Sequence, residues 1–161
     1  LLDRDRRPVG RYLDRGVPGA ILDYDAQQDL MLSTHASAEA QAAAVADDIA
    51  YNAHDIDDGL RAGLFTMDQV AEAPFIESLL EEIDERHPGL EPSRRIHELT
   101  RRVITRFVED VIRESERRIA QTQPQSADDI RLAGRPLVTF SEAMERADRD
   151  IKAFLFPNMY R

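Results

Sequence analysis

Asp47, Tyr51, His54, Asp55 and Asp58 follow one another at spacings of four, three, one and three. At about 3.6 residues per turn these five fall on one stripe of a helix, opposite the apolar face of Val45, Ile49 and Ile56. Carboxylates accept hydrogen bonds from hydroxyls and bind hard divalent cations, and a tyrosine and a histidine add further polar groups. The ordinary reading of such a stripe is a solvated face. A solvated helix, however, usually interleaves Lys or Arg four residues from its acids. No Lys or Arg occurs between Arg15 and Arg61, where nine acids do. Unbalanced carboxylates on one stripe repel each other and call for a cation or for donors from elsewhere. On the residues alone, a solvated face and a metal or polar-ligand site carry equal weight, and no substrate is named.

The run Ala46-Asp47-Asp48-Ile49-Ala50-Tyr51-Asn52-Ala53-His54-Asp55-Ile56-Asp57-Asp58-Gly59-Leu60-Arg61-Ala62-Gly63, with Glu39-Ala40-Gln41 before it, resembles the late signature of bacterial dGTPase-like triphosphohydrolases of the HD superfamily. Two further stretches are similar to the same family: Arg101 to Ile112, and Phe140-Ser141 through Lys152-Ala153-Phe154-Leu155 to Met159-Tyr160-Arg161. The resemblance covers most of residues 30–161 and is less distinctive over 1–29. It implies an all-α, HD-type helical fold, of which this chain would be the C-terminal half. It also implies a divalent metal, Mg²⁺ or Mn²⁺ or another transition metal, held by a His, a His-Asp doublet and a late Asp. By motif position that late Asp is Asp47. The His54-Asp55 pair reads "HD" but belongs to the late motif, and His35, His87 and His97 stand outside the doublet motif as well. The resemblance places Tyr51 near the sugar or phosphates and has Asp55 accept a bond from a deoxyribose 3′-hydroxyl.

The activity so implied is hydrolysis of a deoxynucleoside triphosphate to deoxynucleoside and triphosphate, with metal-activated water attacking the α-phosphorus. The first His and the His-Asp doublet would lie upstream of Leu1, and one carboxylate does not hold a catalytic metal. The chain by itself is therefore expected to be inactive. The competing expectation is a non-enzymatic helical module for oligomerisation or regulation. Homo-oligomers are a further implication of the resemblance.

Arg94, Arg95, Arg101, Arg102, Arg106, Arg113, Arg117 and Arg118 crowd a later segment, and Lys152 is the single lysine of the chain. Pairing with Glu98, Glu109, Glu114 and Glu116 on a surface helix is the favoured reading. The functional one sets Arg102, and less firmly Arg94, against a triphosphate or a subunit interface, because a guanidinium fork matches phosphate oxygens.

The elements that must position these groups are helical. Residues 1–30 are punctuated by Pro8, Gly10, Gly16, Pro18 and Gly19 and read as a loop-rich segment with at most short helices. Residues 31–161 read as helical. Ser37 is an N-cap for a helix whose apolar positions Ala42, Val45, Ile49, Ala53, Ile56 and Leu60 recur every three or four residues and which ends near Gly63. A second helix is expected over Pro74–Glu85, closed by His87-Pro88-Gly89. A third runs from Ser93 to Ala120 with Ile96, Leu99, Val103, Phe107, Val111 and Ile112 inward. A polar connection over 121–139, with a short helix at 127–132, leads to a last helix from Ser141 to about Leu155.

The 161 residues carry 21 basic and 31 acidic groups, a net charge of −10, which argues against nucleic acid and anionic membranes as partners of the whole surface. The absence of cysteine excludes disulfides, thiolate metal sites and a cysteine nucleophile, and fits a cytoplasmic setting. No apolar run is long enough for a membrane span, and Leu1-Leu2 followed by Asp3-Arg4-Asp5-Arg6-Arg7 has no signal-peptide pattern. Without an initiator Met, the chain is expected to begin partway through a longer protein.

Overall fold

The computed structural model describes residues 1–2, 5–9 and 12–160; Asp3, Arg4, Gly10 and Arg161, named above, lie outside them. Among the described residues the fold is all-α. Its helices are α1 (Gly19–Asp25), α2 (Ala38–Ala62), α3 (Met67–Val70), α4 (Pro74–Arg86), α5 (Pro92–Thr122), α6 (Ala127–Arg131) and α7 (Glu142–Met159). The only β-pairing among those residues is an isolated bridge between Leu2 and Pro8.

The central helix α2 begins and ends where local chemistry requires. The Ser37 hydroxyl accepts from the Ala40 N–H, Glu39 sits in the first turn, and Gly63 closes the helix in the left-handed region at φ 69°. Ile49, Ala53 and Ile56 are buried, with Val45 and Leu60 packed at the margin. Ala42, expected inward, stands exposed, and Gln41 takes the buried place. The reason is polar: Gln41 Nε2 donates to the Ala36 carbonyl at 2.7 Å, and its Oε1 accepts from the Leu137 and Val138 N–H groups at 2.8 and 3.0 Å. One amide thereby ties the start of α2 to the segment before α7.

Helix α5 packs against α2 and α4 through Leu99, Val103 and Phe107. The Phe107 ring meets Phe75 and Phe140 edge-on at 5.3 and 5.2 Å. Ile112, read as inward, is 55% exposed. It lies five residues beyond Phe107, about 140° around the helix, so the two cannot share a face; Val111, about 40° away, can and does. Helix α7 outruns its expected end at Leu155 and continues through Pro157. Proline deprives only the carbonyl four residues earlier of a donor, here that of exposed Ala153, and Asn158 Nδ2 donates to the neighbouring Phe154 carbonyl at 2.7 Å. The short α3, absent from the sequence reading, is set by a capping box between Thr66 and Gln69. Residues 1–36 gather a small cluster of their own around Leu2, Val17 and Leu32.

Gly59 is the tightest point of α2. A Cβ built there would overlap the ring of Phe65 and touch the Met159 sulfur. Phe65 is buried and stacked edge-on against Phe154 of α7 at 5.0 Å, so its ring has little room to yield. Gly59→Ala is therefore expected to destabilise the fold by about 1–3 kcal/mol, the usual range for overpacking. A drop in the denaturant midpoint at unchanged slope checks this; a midpoint equal to wild type contradicts it.

Candidate functional site

Four α7 residues at four-residue spacing, Asp148, Lys152, Phe156 and Tyr160, the last being its C-cap, face the edge of α2 that carries Asp48, Tyr51, Asn52 and Asp55. Between the two helices lies a groove of about 320 Å³. Leu155 and the aromatic rings make most of its lining, and a polar cluster lies at its side, in which Asn52 and Asp148 are buried while Lys152 and Asp48 are half exposed. Asn52 Nδ2 donates to Asp148 Oδ1 at 2.7 Å, and Lys152 Nζ donates to Asp148 Oδ2 at 3.0 Å and to Asp48 Oδ1 at 2.9 Å. Burial works against the Lys152 charge, but the bonds to Asp48 and Asp148 outweigh it and raise its pKa. Its rim is aromatic: Tyr51 is 59% exposed, and the Phe156 and Tyr160 rings stand 6.1 Å apart. At one end the Tyr160 hydroxyl donates to Asp55 Oδ2 at 2.7 Å. The Asp55 bond, followed by the nearby Tyr51, holds the Tyr160 phenol well above its ordinary pKa.

The acidic stripe of α2 thus splits. Asp55, and Asp48 beside the stripe, turn toward α7 and find donors, while Asp57 is held below the usual carboxylate range by its bond to Arg61. Asp47, His54 and Asp58 face outward and are exposed. Asp47 has no hydrogen-bond or ion-pair partner among the described residues. Nor, among those residues, do any three His, Asp or Glu side chains come close enough to hold a metal ion. The donor set of this chain alone does not fit a bound metal; Asp47 can offer one carboxylate to a site completed by other residues.

The structure brings Tyr51 and Asp55 together and leaves Arg102 out of their groove. The Arg102 side chain is 8% exposed and pairs with Glu82 at 2.8 Å and Glu98 at 2.9 Å. It lines a smaller hollow of about 200 Å³ between α4 and α5, with Arg86, Arg101 and Arg106. Arg94 is exposed. Of the expected partners of the α5 arginines, Glu98, Glu109 and Glu114 are paired and Glu116 has no ion pair among the described residues, while Glu82 and Asp84 of α4 are added. Tyr160, Phe156 and Lys152 were not singled out as site residues from sequence. Their common spacing of four was the available signal, and Tyr160 lies in a stretch that carries the family resemblance.

No family model matches the chain. It is similar to curated proteins that share one name, deoxyguanosinetriphosphate triphosphohydrolase-like protein. Identity is 52% over 161 residues with that of Azorhizobium caulinodans, covering 100% of this chain and 40% of the relative. It is 57% over 154 residues with that of Rhizobium etli, covering 96% and 38%, and 52% over 153 residues with that of Brucella ovis, covering 95% and 38%. The resemblance carried by the signature around Tyr51 therefore extends across the chain, which spans about two-fifths of the length of these relatives.

The ion pairs of α5 make stability depend on acid. Hydrogen bonds from Arg101 and then Arg102 hold the Glu98 carboxyl at about 2, and bonds from Arg117 and then Arg118 hold Glu114 at about 2, against an ordinary 4.5. Because these folded-state values are depressed, their stabilisation is complete above the ordinary value and is lost as pH falls from about 5 to about 2. Denaturant midpoints measured across that window are expected to fall, and to fall less steeply in a Glu98→Gln/Glu114→Gln variant. Parallel curves for the two proteins would contradict the assignment.

Proposed function

We propose that this chain, a homologous stretch of the deoxyguanosinetriphosphate triphosphohydrolase-like proteins, is the part of a deoxynucleoside triphosphate triphosphohydrolase that holds the sugar. The observation that carries this reading is the α2–α7 groove, where one carboxylate, Asp55, stands among three exposed aromatic side chains. A carboxylate is a pure acceptor and suits a sugar hydroxyl, while aromatic rings suit the faces of a sugar or base. Tyr51 would border the sugar and Asp55 would accept from its 3′-hydroxyl. The reaction is hydrolysis to deoxynucleoside and triphosphate.

Asp47, one turn before Tyr51 and free of internal partners among the described residues, would contribute one carboxylate to a divalent cation, Mg²⁺ or Mn²⁺ or another transition metal, within an HD-type site. The remaining ligands of that cation belong to the rest of a longer protein, and the isolated stretch would be inactive. Arg102, committed to Glu82 and Glu98, would reach a phosphate only by exchanging those partners. A cytoplasmic homo-oligomer is part of the same reading. The net charge of −10 disfavours nucleic acid as a partner of the whole surface, and no helix among the described residues is long and apolar enough to cross a membrane.

A second reading, a non-enzymatic helical module, draws on the outward exposure of Asp47, His54 and Asp58. The full-length protein separates the two. With Mn²⁺ or Mg²⁺ it is expected to release triphosphate from at least one deoxynucleoside triphosphate. Asp47→Ala is expected to lower that activity by about 100-fold or more, since loss of groups that merely support metal ligands already costs about 10–100-fold. Triphosphate absent with every substrate would favour the module; an Asp47→Ala enzyme at full activity would overturn the role of Asp47.

A further inference from the structure

Asp55 has two carboxylate oxygens, and the structure treats them differently. Oδ2 accepts from the Tyr160 hydroxyl at 2.7 Å, whereas Oδ1 has no hydrogen bond among the described residues. A carboxylate with neither oxygen held turns about its terminal bond and spreads its lone pairs over many directions. One held by a single donor presents its other oxygen in a defined direction, which is the pre-organisation that a selective hydrogen bond needs. The donor comes from 105 residues away in sequence, at the end of α7, so the link is tertiary rather than local.

The end of α7 is itself held in place. Met159 packs at Gly59, and Phe154 stacks on Phe65, which occupies the space left by the missing Gly59 side chain. One turn before Tyr160, Phe156 extends the aromatic wall, and Tyr51 stands on the opposite helix within the same groove. Asp55 lines the same groove as these exposed rings.

We propose that Tyr160 is a positioning residue: by holding Asp55 Oδ2 it aims Oδ1 at the ligand and makes the groove select nucleotides that carry a 3′-hydroxyl. This rests on the reading of Asp55 given above. It goes beyond that reading in assigning the selectivity to a second residue, on another helix. A purely structural Tyr160 would tie α7 to α2 and affect deoxy and dideoxy ligands alike. One that aims Asp55 affects the deoxy ligand far more, because only that ligand has the hydroxyl to donate.

The test uses the full-length protein and two substrates, dGTP and 2′,3′-dideoxyGTP, with triphosphate release as the readout. Wild type is expected to prefer dGTP in kcat/KM by about 10-fold or more, the effect of one hydrogen bond to a charged acceptor. Tyr160→Phe keeps the ring and removes the donor. It is expected to shrink that preference by about fivefold, through a higher KM for dGTP with the KM for the dideoxy substrate nearly unchanged. Asp55→Asn is the control. If Asp55→Asn abolishes the preference and Tyr160→Phe leaves it intact, the role of Tyr160 is overturned while that of Asp55 stands. Where another base is the substrate, its deoxy and dideoxy pair replaces the dGTP pair. If wild type shows no preference, or Asp55→Asn retains it, or no deoxynucleoside triphosphate is turned over, the reading of Asp55 falls and this inference with it.

Discussion

Helix α2 has two obligations. It gives Ile49, Ala53 and Ile56 to the core, and beside that face it carries Asn52, which is too deep for water to satisfy. A buried amide without a partner costs on the order of 1–3 kcal/mol. Asp148 of α7 supplies the partner, but a carboxylate that is itself buried must then be neutralised. Lys152, one turn further along α7, does this and reaches Asp48 as well. The series Asn52, Asp148, Lys152, Asp48 therefore ties α7 to α2 in one rotation, with the buried pair Asn52–Asp148 as its centre.

Once that rotation is fixed, the rest of the groove follows from helical geometry. Residues four apart lie on nearly the same face, so the line that contains Asp148 and Lys152 continues to Phe156 and Tyr160. Those rings must then overhang the edge of α2 that bears Tyr51 and Asp55. The same rotation turns Asp47, His54 and Asp58 away from α7, although they share a stripe with Tyr51. The division of the acidic stripe into an inward and an outward part accompanies this buried polar contact and the apolar packing of Ile49, Ala53 and Ile56 beside it. The outward part is exposed in this chain, which spans about two-fifths of the length of its relatives.

Local signals in the sequence carried much of the helical framework. Ser37 and Gly63 bracket α2 as their cap chemistry requires, and the three- and four-residue recurrence of Ile49, Ala53, Ile56 and of Leu99, Val103, Phe107 marked the buried faces. Tyr51 and Asp55 were marked out by a stripe without basic neighbours and by the family resemblance, and the structure sets both on one groove. Less legible was anything set by partners distant in the chain. The pairing of Asn52 with Asp148 joins residues 96 apart, and nothing in either neighbourhood announces it. Arg102 looked available because its glutamate partners were counted along α5 alone, whereas Glu82 comes from α4. Ile112 and Ala42 were drawn inward by apolar type against the helical angle or a competing polar contact. The last helix was read to end at about Leu155, yet it runs through Pro157, whose missing donor has little effect near a helix end.

In the proposed function the α2–α7 groove receives the sugar of a nucleotide while the outward part of α2 meets a metal. The structure of the full-length protein bound to a deoxynucleoside triphosphate and a divalent cation measures this most directly. The account predicts the ribose 3′-oxygen within hydrogen-bonding distance of Asp55, with Tyr51 alongside and Asp47 among the metal ligands. A nucleotide bound elsewhere, with Asp47 facing bulk water in the assembled protein, would contradict it.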